Sequence, residues 1–155
     1  MPPSDMPEWT ARQRRSVELI AKSFRRLTGK PLVCAENDSA EALWAADCAI
    51  VAHGTQADPV FFFGNRTALR LFEMTFDAFT CLPSRLSAEP MLRDERQRLL
   101  DRVTRSGIID DYAGVRISAS GRRFRIVNAS VWNLTDDDGR PAGQAAAFSD
   151  WTPLS

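Results

Sequence analysis

Residues 48–69 read CAIVAHGTQADPVFFFGNRTAL, and the fold turns on this stretch. Two short β-prone runs, Cys48–Ala52 and Val60–Phe63, flank the turn-forming string Gly54-Thr55-Gln56-Ala57-Asp58-Pro59. Turn residues between two such runs predict a hairpin. Neither run alternates apolar with polar residues, which is the pattern of strands covered on both faces. One cover is expected from later helices, the other from the N-terminal helix or a second subunit. Directly after the second run, Asn65 is placed to cap a helix through Leu71 or Phe72.

Outward from this hairpin the elements come in a readable order. Upstream, Val17, Ile20, Phe24 and Leu27 recur at helical spacing over residues 10–28, with Thr10 as cap and Gly29 and Pro31 as stops. A shorter helix is predicted from Asp38 or Ser39 to about Ala46. Downstream, Thr75 caps a short turn through Phe76 and Phe79, and Pro83 and Pro90 break the next stretch into small pieces. The longest later helix begins after Pro90, with Leu92, Leu99, Leu100 and Val103 inward and Arg93, Glu95, Arg96 and Arg102 outward. From Ile109 onward three antiparallel strands are expected. Ala113, Val115 and Ile117 read as the inward row of the first, with Gly114, Arg116 and Ser118 outward. In the strand from Phe124 to Leu134 the inward row stays open, because Val127, Ala129 and Val131 compete with Asn128, Ser130 and Trp132. The whole is one α+β domain, with residues 1–30 as a helical extension and 31–155 as its body.

Composition removes several classes of function. Twenty basic and twenty acidic residues cancel, so no global field draws the chain to nucleic acid or to a membrane surface. No apolar run has the length of a spanning helix, and residues 1–15 lack the apolar core of a secretory signal, so the cytoplasm is the expected compartment. Cys34, Cys48 and Cys81 form no CxxC pair, and His53 is the one histidine. No metal site is expected from them, and the thiols read as reduced and partly buried. Local positive charge gathers at Arg12, Arg14, Arg15, Lys22, Arg25, Arg26 and Lys30, the signature of a solvated helix face.

Two segments resemble the PAS fold: Phe63-Gly64-Asn65-Arg66-Thr67-Ala68-Leu69, and Asp138-Gly139-Arg140 through Phe148-Ser149-Asp150-Trp151-Thr152. A wider set of segments is similar to the MEKHLA domain, a PAS-related family. These are Phe24–Gly29, His53–Pro59, Pro83–Pro90, Gly114–Ser118, Gly121–Ile126 and Val131–Leu134. The resemblance implies a five-stranded antiparallel sheet with short helices over one face. It also implies a regulatory role and no chemistry.

That fold brings its own candidate chemistries. A flavin thioether of the light-oxygen-voltage type needs a cysteine where the register places Ser84, and Cys81 sits three residues early. Haem needs a histidine on the long helix before the third strand, which has none. No cofactor is therefore assigned. A triad of His53, Asp58 and Ser84 or Cys81 is unsupported by any nucleophile elbow or phosphate loop, and Asp110-Asp111 and Asp136-Asp137-Asp138 read as turn residues, so no enzyme is expected. What survives is non-covalent binding in a space lined by Phe72, Phe76, Phe79, Tyr112 and Trp132, with Asn128 and Ser130 as polar anchors. The expectation is a sensory module that takes a small molecule and acts on a partner protein in trans, since nothing comes after the exit motif. Alternatives are a homodimerisation module with a filled core, whose N-terminal helix is the interface, and an enzyme of unknown chemistry.

Overall fold

The computed structural model describes residues 5–33, 38–88 and 93–154; Cys34, Pro90 and Leu92 lie outside these, as do the side chains of Arg93 and Arg96. Helix α1, Ala11–Thr28, opens with a capping box in which Thr10 and Gln13 exchange hydrogen bonds. It closes where Gly29 turns left-handed and donates to the carbonyl of Arg25. Helix α2, Ala40–Ala45, is capped by Ser39. Strands β1, Ala49–His53, and β2, Phe61–Gly64, form the expected hairpin. Helices α3, Arg66–Phe72, and α4, Phe76–Phe79, then a 3-10 turn over Ser84–Ser87 and helix α5, Arg93–Ser106, complete the helical part. The chain ends in four strands: β3, Ile108–Ile117, β4, Arg123–Thr135, β5, Pro141–Phe148, and β6, Asp150–Pro153.

The sheet is antiparallel in the order β2-β1-β5-β4-β3, with β6 continuing along β4 past the end of β5. The α+β arrangement is the one expected, with a sixth strand added. It arises because the exit segment Asp150–Pro153 pairs with Phe124–Val127 instead of leaving the sheet.

Asn65 joins the hairpin to the helices. Its buried Oδ1 accepts from the backbone N–H groups of Ile50 and Ala68, both at 3.0 Å. Its Nδ2 donates to the carbonyls of Leu43 at 3.0 Å and Cys48 at 2.8 Å. One side chain therefore caps α3, ends α2 and fixes the start of β1.

Both sheet faces are covered. On one, α1 lays Val17, Ile20, Ala21 and Phe24 against β4. Trp132 is fully buried there, with its Nε1 donating to the carbonyl of Ile20 at 3.0 Å and its ring edge-on to Phe24. Ser23 closes the same contact, accepting from the N–H of Thr135 and donating to its carbonyl. Val17, Ile20 and Phe24 of the α1 stripe are thus packed on the chain's own sheet, whereas Leu27 is exposed. The helix's outward side carries the exposed Arg12, Arg15 and Lys22.

The opposite face lies under α3, α4 and α5, which contribute Phe72, Phe79, Leu99 and Val103. Here the open question about β4 is answered by its backbone. Asn128 adopts a left-handed conformation with φ 53°, and the pairing with β3 slips on either side of Tyr112. The extra residue swaps the strand's parity. Ile126 before it and Val131 after it both face the helices, while Trp132 faces α1. Neither of the two competing rows runs the full length of the strand. Asp110 and Asp111, read as turn residues, stand instead on β3, where both are exposed.

Candidate functional site

Between the sheet and helices α3 and α5 lies a cavity of about 60 Å³. Its walls are mainly apolar, with Val51, Phe61, Phe72, Leu99, Ile126 and Phe148 prominent. Five residues with polar side chains also line it: His53, Ser87, Tyr112, Arg116 and Gln144. At ~30 Å³ per water, the space corresponds to about two water molecules.

Strand β3 supplies the most distinctive group. Tyr112, Gly114 and Arg116 recur at strand spacing, and Arg116 Nη2 donates to the Tyr112 hydroxyl at 2.6 Å. The guanidinium carbon lies 5.2 Å from the centre of the Tyr112 ring. Gly114 makes this possible, because a Cβ there would collide with the Tyr112 hydroxyl oxygen. The tyrosine therefore lies along its own strand, across the glycine, and meets Arg116. Burial lowers the Arg116 pKa from its ordinary range, and Tyr112 partly opposes that shift. The group stays cationic at any physiological pH.

Strand alternation puts Arg116 on the outward row, with Ala113 inward; in the structure Ala113 is exposed, and the tyrosine–arginine row lines the cavity. The bulges around Tyr112 produce this inversion. Pattern reading assigns an arginine to solvent by default, and only the glycine between Tyr112 and Arg116 signals otherwise.

Gln144 on β5 is the second unusual group. Its Nε2 donates to Asn133 Oδ1 at 2.9 Å, and Asn133 in turn donates to the carbonyl of Val103 at 3.1 Å. Its Oε1 is buried and has no hydrogen-bond partner, a condition shared among the described residues only with Trp9 Nε1. His53, at the end of β1, has its Nδ1 3.0 Å from the carbonyl of Gly54.

Of the seven residues expected to line a pocket, Phe72 and Tyr112 reach this one. Phe79 sits one layer back, stacked on Phe61 at 4.2 Å and tilted against Phe72. Phe76 belongs elsewhere, in a cluster with Trp9, Trp44 and Phe63. Trp132 is turned toward α1, and Ser130 shares that face beside Phe24 and Thr28. Asn128 is exposed at the bulge. The last three are displaced by the parity swap that Asn128 itself creates.

Two cysteine expectations separate. Cys48 is half-buried and burial raises its thiol pKa, whereas Cys81, expected to pack, is exposed just beyond α4. Ser84 is fully buried in the 3-10 turn. The site does not fit a flavin: Ser84 offers no thiol, and the cavity is far below the several hundred Å³ of an ordinary cofactor pocket. Asp58, one member of the conceivable triad, is paired with Arg85 at 3.0 Å.

A six-stranded antiparallel sheet with helices over the face that holds the cavity defines a PAS-like α+β domain. Solved structures share it. The PAS domain of a protein from Colwellia psychrerythraea superposes with a TM-score of 0.62 at 13% identity, covering 74% of this chain and 92% of that one. A PAS domain from a two-component sensor histidine kinase gives 0.54 at 15% identity, over 72% and 88%. The dark structure of the blue-light photoreceptor Aureochrome1 LOV gives 0.51 at 15%, over 69% and 75%.

The chain belongs to the MEKHLA domain family, whose family model matches residues 14–153. Homeobox-leucine zipper protein ATHB-14 of Arabidopsis thaliana is 27% identical over 143 residues, covering 88% of this chain. Homeobox-leucine zipper protein HOX29 of Oryza sativa subsp. indica is 28% identical over 142 residues, covering 87%. The chain spans only 17% and 16% of the lengths of these two relatives.

Proposed function

We propose that this domain is a sensory module that holds a small molecule in the cavity between the sheet and helices α3 and α5 and signals occupancy to a partner protein. The observation that carries this reading is the unfinished polar lining. Gln144 lines the cavity, and its Oε1 is buried with no partner. An orphaned acceptor costs about 1–3 kcal/mol and calls for a donor supplied from outside the chain. A filled core used only for dimerisation has no need of such a group.

The setting supports the reading. β1 and β5, which wall the cavity, also form the centre of the sheet, so a change in occupancy bears on its main register. No described helix is long and apolar enough to cross a membrane. A cytoplasmic location, output in trans and the absence of catalysis belong to the same proposal. The test is native mass spectrometry of freshly purified protein, followed by denaturation and analysis of any released molecule. A stoichiometric small molecule is the expected result; a clean apo mass from several hosts would contradict it.

A further inference from the structure

We infer that the cavity's ligand is a small carboxylic acid that also carries a hydrogen-bond donor. The inference rests on the pocket reading and adds the ligand's charge and polarity. Seven arginines among the described residues have a carboxylate within 4 Å: Arg14, Arg25, Arg26, Arg66, Arg85, Arg102 and Arg122. Arg116 is not among them, although it is the arginine that lines the cavity. Its hydrogen-bond partner is the Tyr112 hydroxyl, and no carboxylate of the described residues pairs with it.

Two described carboxylates share a groove with Arg116. Glu95 and Asp111 border the neighbouring groove, and Asp111 is engaged by Arg102 at 3.4 Å. Arg116 is half-buried, and a guanidinium at a cavity wall presents a planar fork that matches a carboxylate. Gln144 Oε1 adds the opposite requirement, because it is an acceptor and needs a donor. A molecule that meets both must be acidic at one place and carry an O–H or N–H at another. The apolar walls and the volume of about 60 Å³ restrict it to a short chain.

An approach also exists. Leu99, Tyr112 and Arg116 border both the cavity and a groove of about 290 Å³ between α5 and β3.

Titration calorimetry of the full chain with glycolate, acetate and glycolamide separates these requirements. The expected order places glycolate about tenfold tighter than its amide, the scale of a charge-assisted hydrogen bond. Acetate, lacking the hydroxyl donor, falls several-fold behind. Arg116→Met should erase the preference for acid over amide while the chain keeps its denaturation midpoint. Equal binding of acid and amide overturns the charge inference and leaves the pocket reading standing. Preference for inorganic phosphate over the hydroxy acid overturns the carboxylate. If none binds, the inference falls, and the native mass spectrum decides separately whether the pocket reading survives.

Discussion

The two faces of the sheet are finished differently. Under α1, Trp132 gives its one donor to Ile20, Ser23 and Thr135 exchange hydrogen bonds, and Phe24 closes the ring contact. Under α3 and α5, a guanidinium has a tyrosine hydroxyl but no carboxylate among the described residues, and a buried amide oxygen has no partner among them. The same strands serve both faces, so the difference does not come from the backbone. Trp9 Nε1, just ahead of α1, is also unpartnered, so what sets the cavity face apart is its guanidinium, the group our proposal gives to a ligand.

Substitutions on the two faces should therefore behave in opposite ways. Trp132→Ala on the α1 face should be the most damaging, losing about 3–5 kcal/mol in urea denaturation through an emptied aromatic site. Deleting α1 should give insoluble or unfolded protein and not a folded monomer, since it uncovers Trp132. On the cavity face, Gly114→Ala should cost about 1–3 kcal/mol, because its Cβ would drive the Tyr112 ring off the strand. It should also weaken acid binding, which distinguishes it from a purely structural change.

Smaller effects test the edges of the comparison. Hydrogen bonds from Ser118 and then Ser120 hold the Glu73 pKa below the ordinary carboxylate value. A lowered folded pKa means that the stabilisation is complete above the unfolded value and is lost as pH falls through the folded one. Glu73→Gln should flatten that acid limb in a pH series of denaturation midpoints. Alkylation and peptide mapping should label the exposed Cys81 well before Cys48, whose raised pKa and partial burial keep it a neutral thiol.

Much of the fold is legible in the sequence because local signals and tertiary contacts agree. Thr10, Ser39, Asn65 and Thr75 each accept from the backbone N–H three residues on, at the helix starts their residue types suggest. The unalternating β1 run is covered on both sides, as its composition demands. The site is less legible. A period-two reading carries one parity along a strand, and Asn128 and the Tyr112 bulges change parity partway. Phe72 and Tyr112 reach the cavity, whereas Ser130 and Trp132 face α1 and Arg116 turns inward against its pattern. Gln144 carries no sequence signal, since its importance lies in a bond it does not make.

The most direct test of the contrast is the equilibrium denaturation of the double variant Tyr112→Phe/Arg116→Met in the ligand-free protein. Replacing both partners of a buried polar contact by apolar groups removes a desolvated charge without orphaning its neighbour. The predicted result is a midpoint equal to or above that of the parent chain, together with loss of acid binding. A loss of more than about 2 kcal/mol, the range of a supporting core contact, would show that the pair holds the fold together and would contradict its assignment to a ligand.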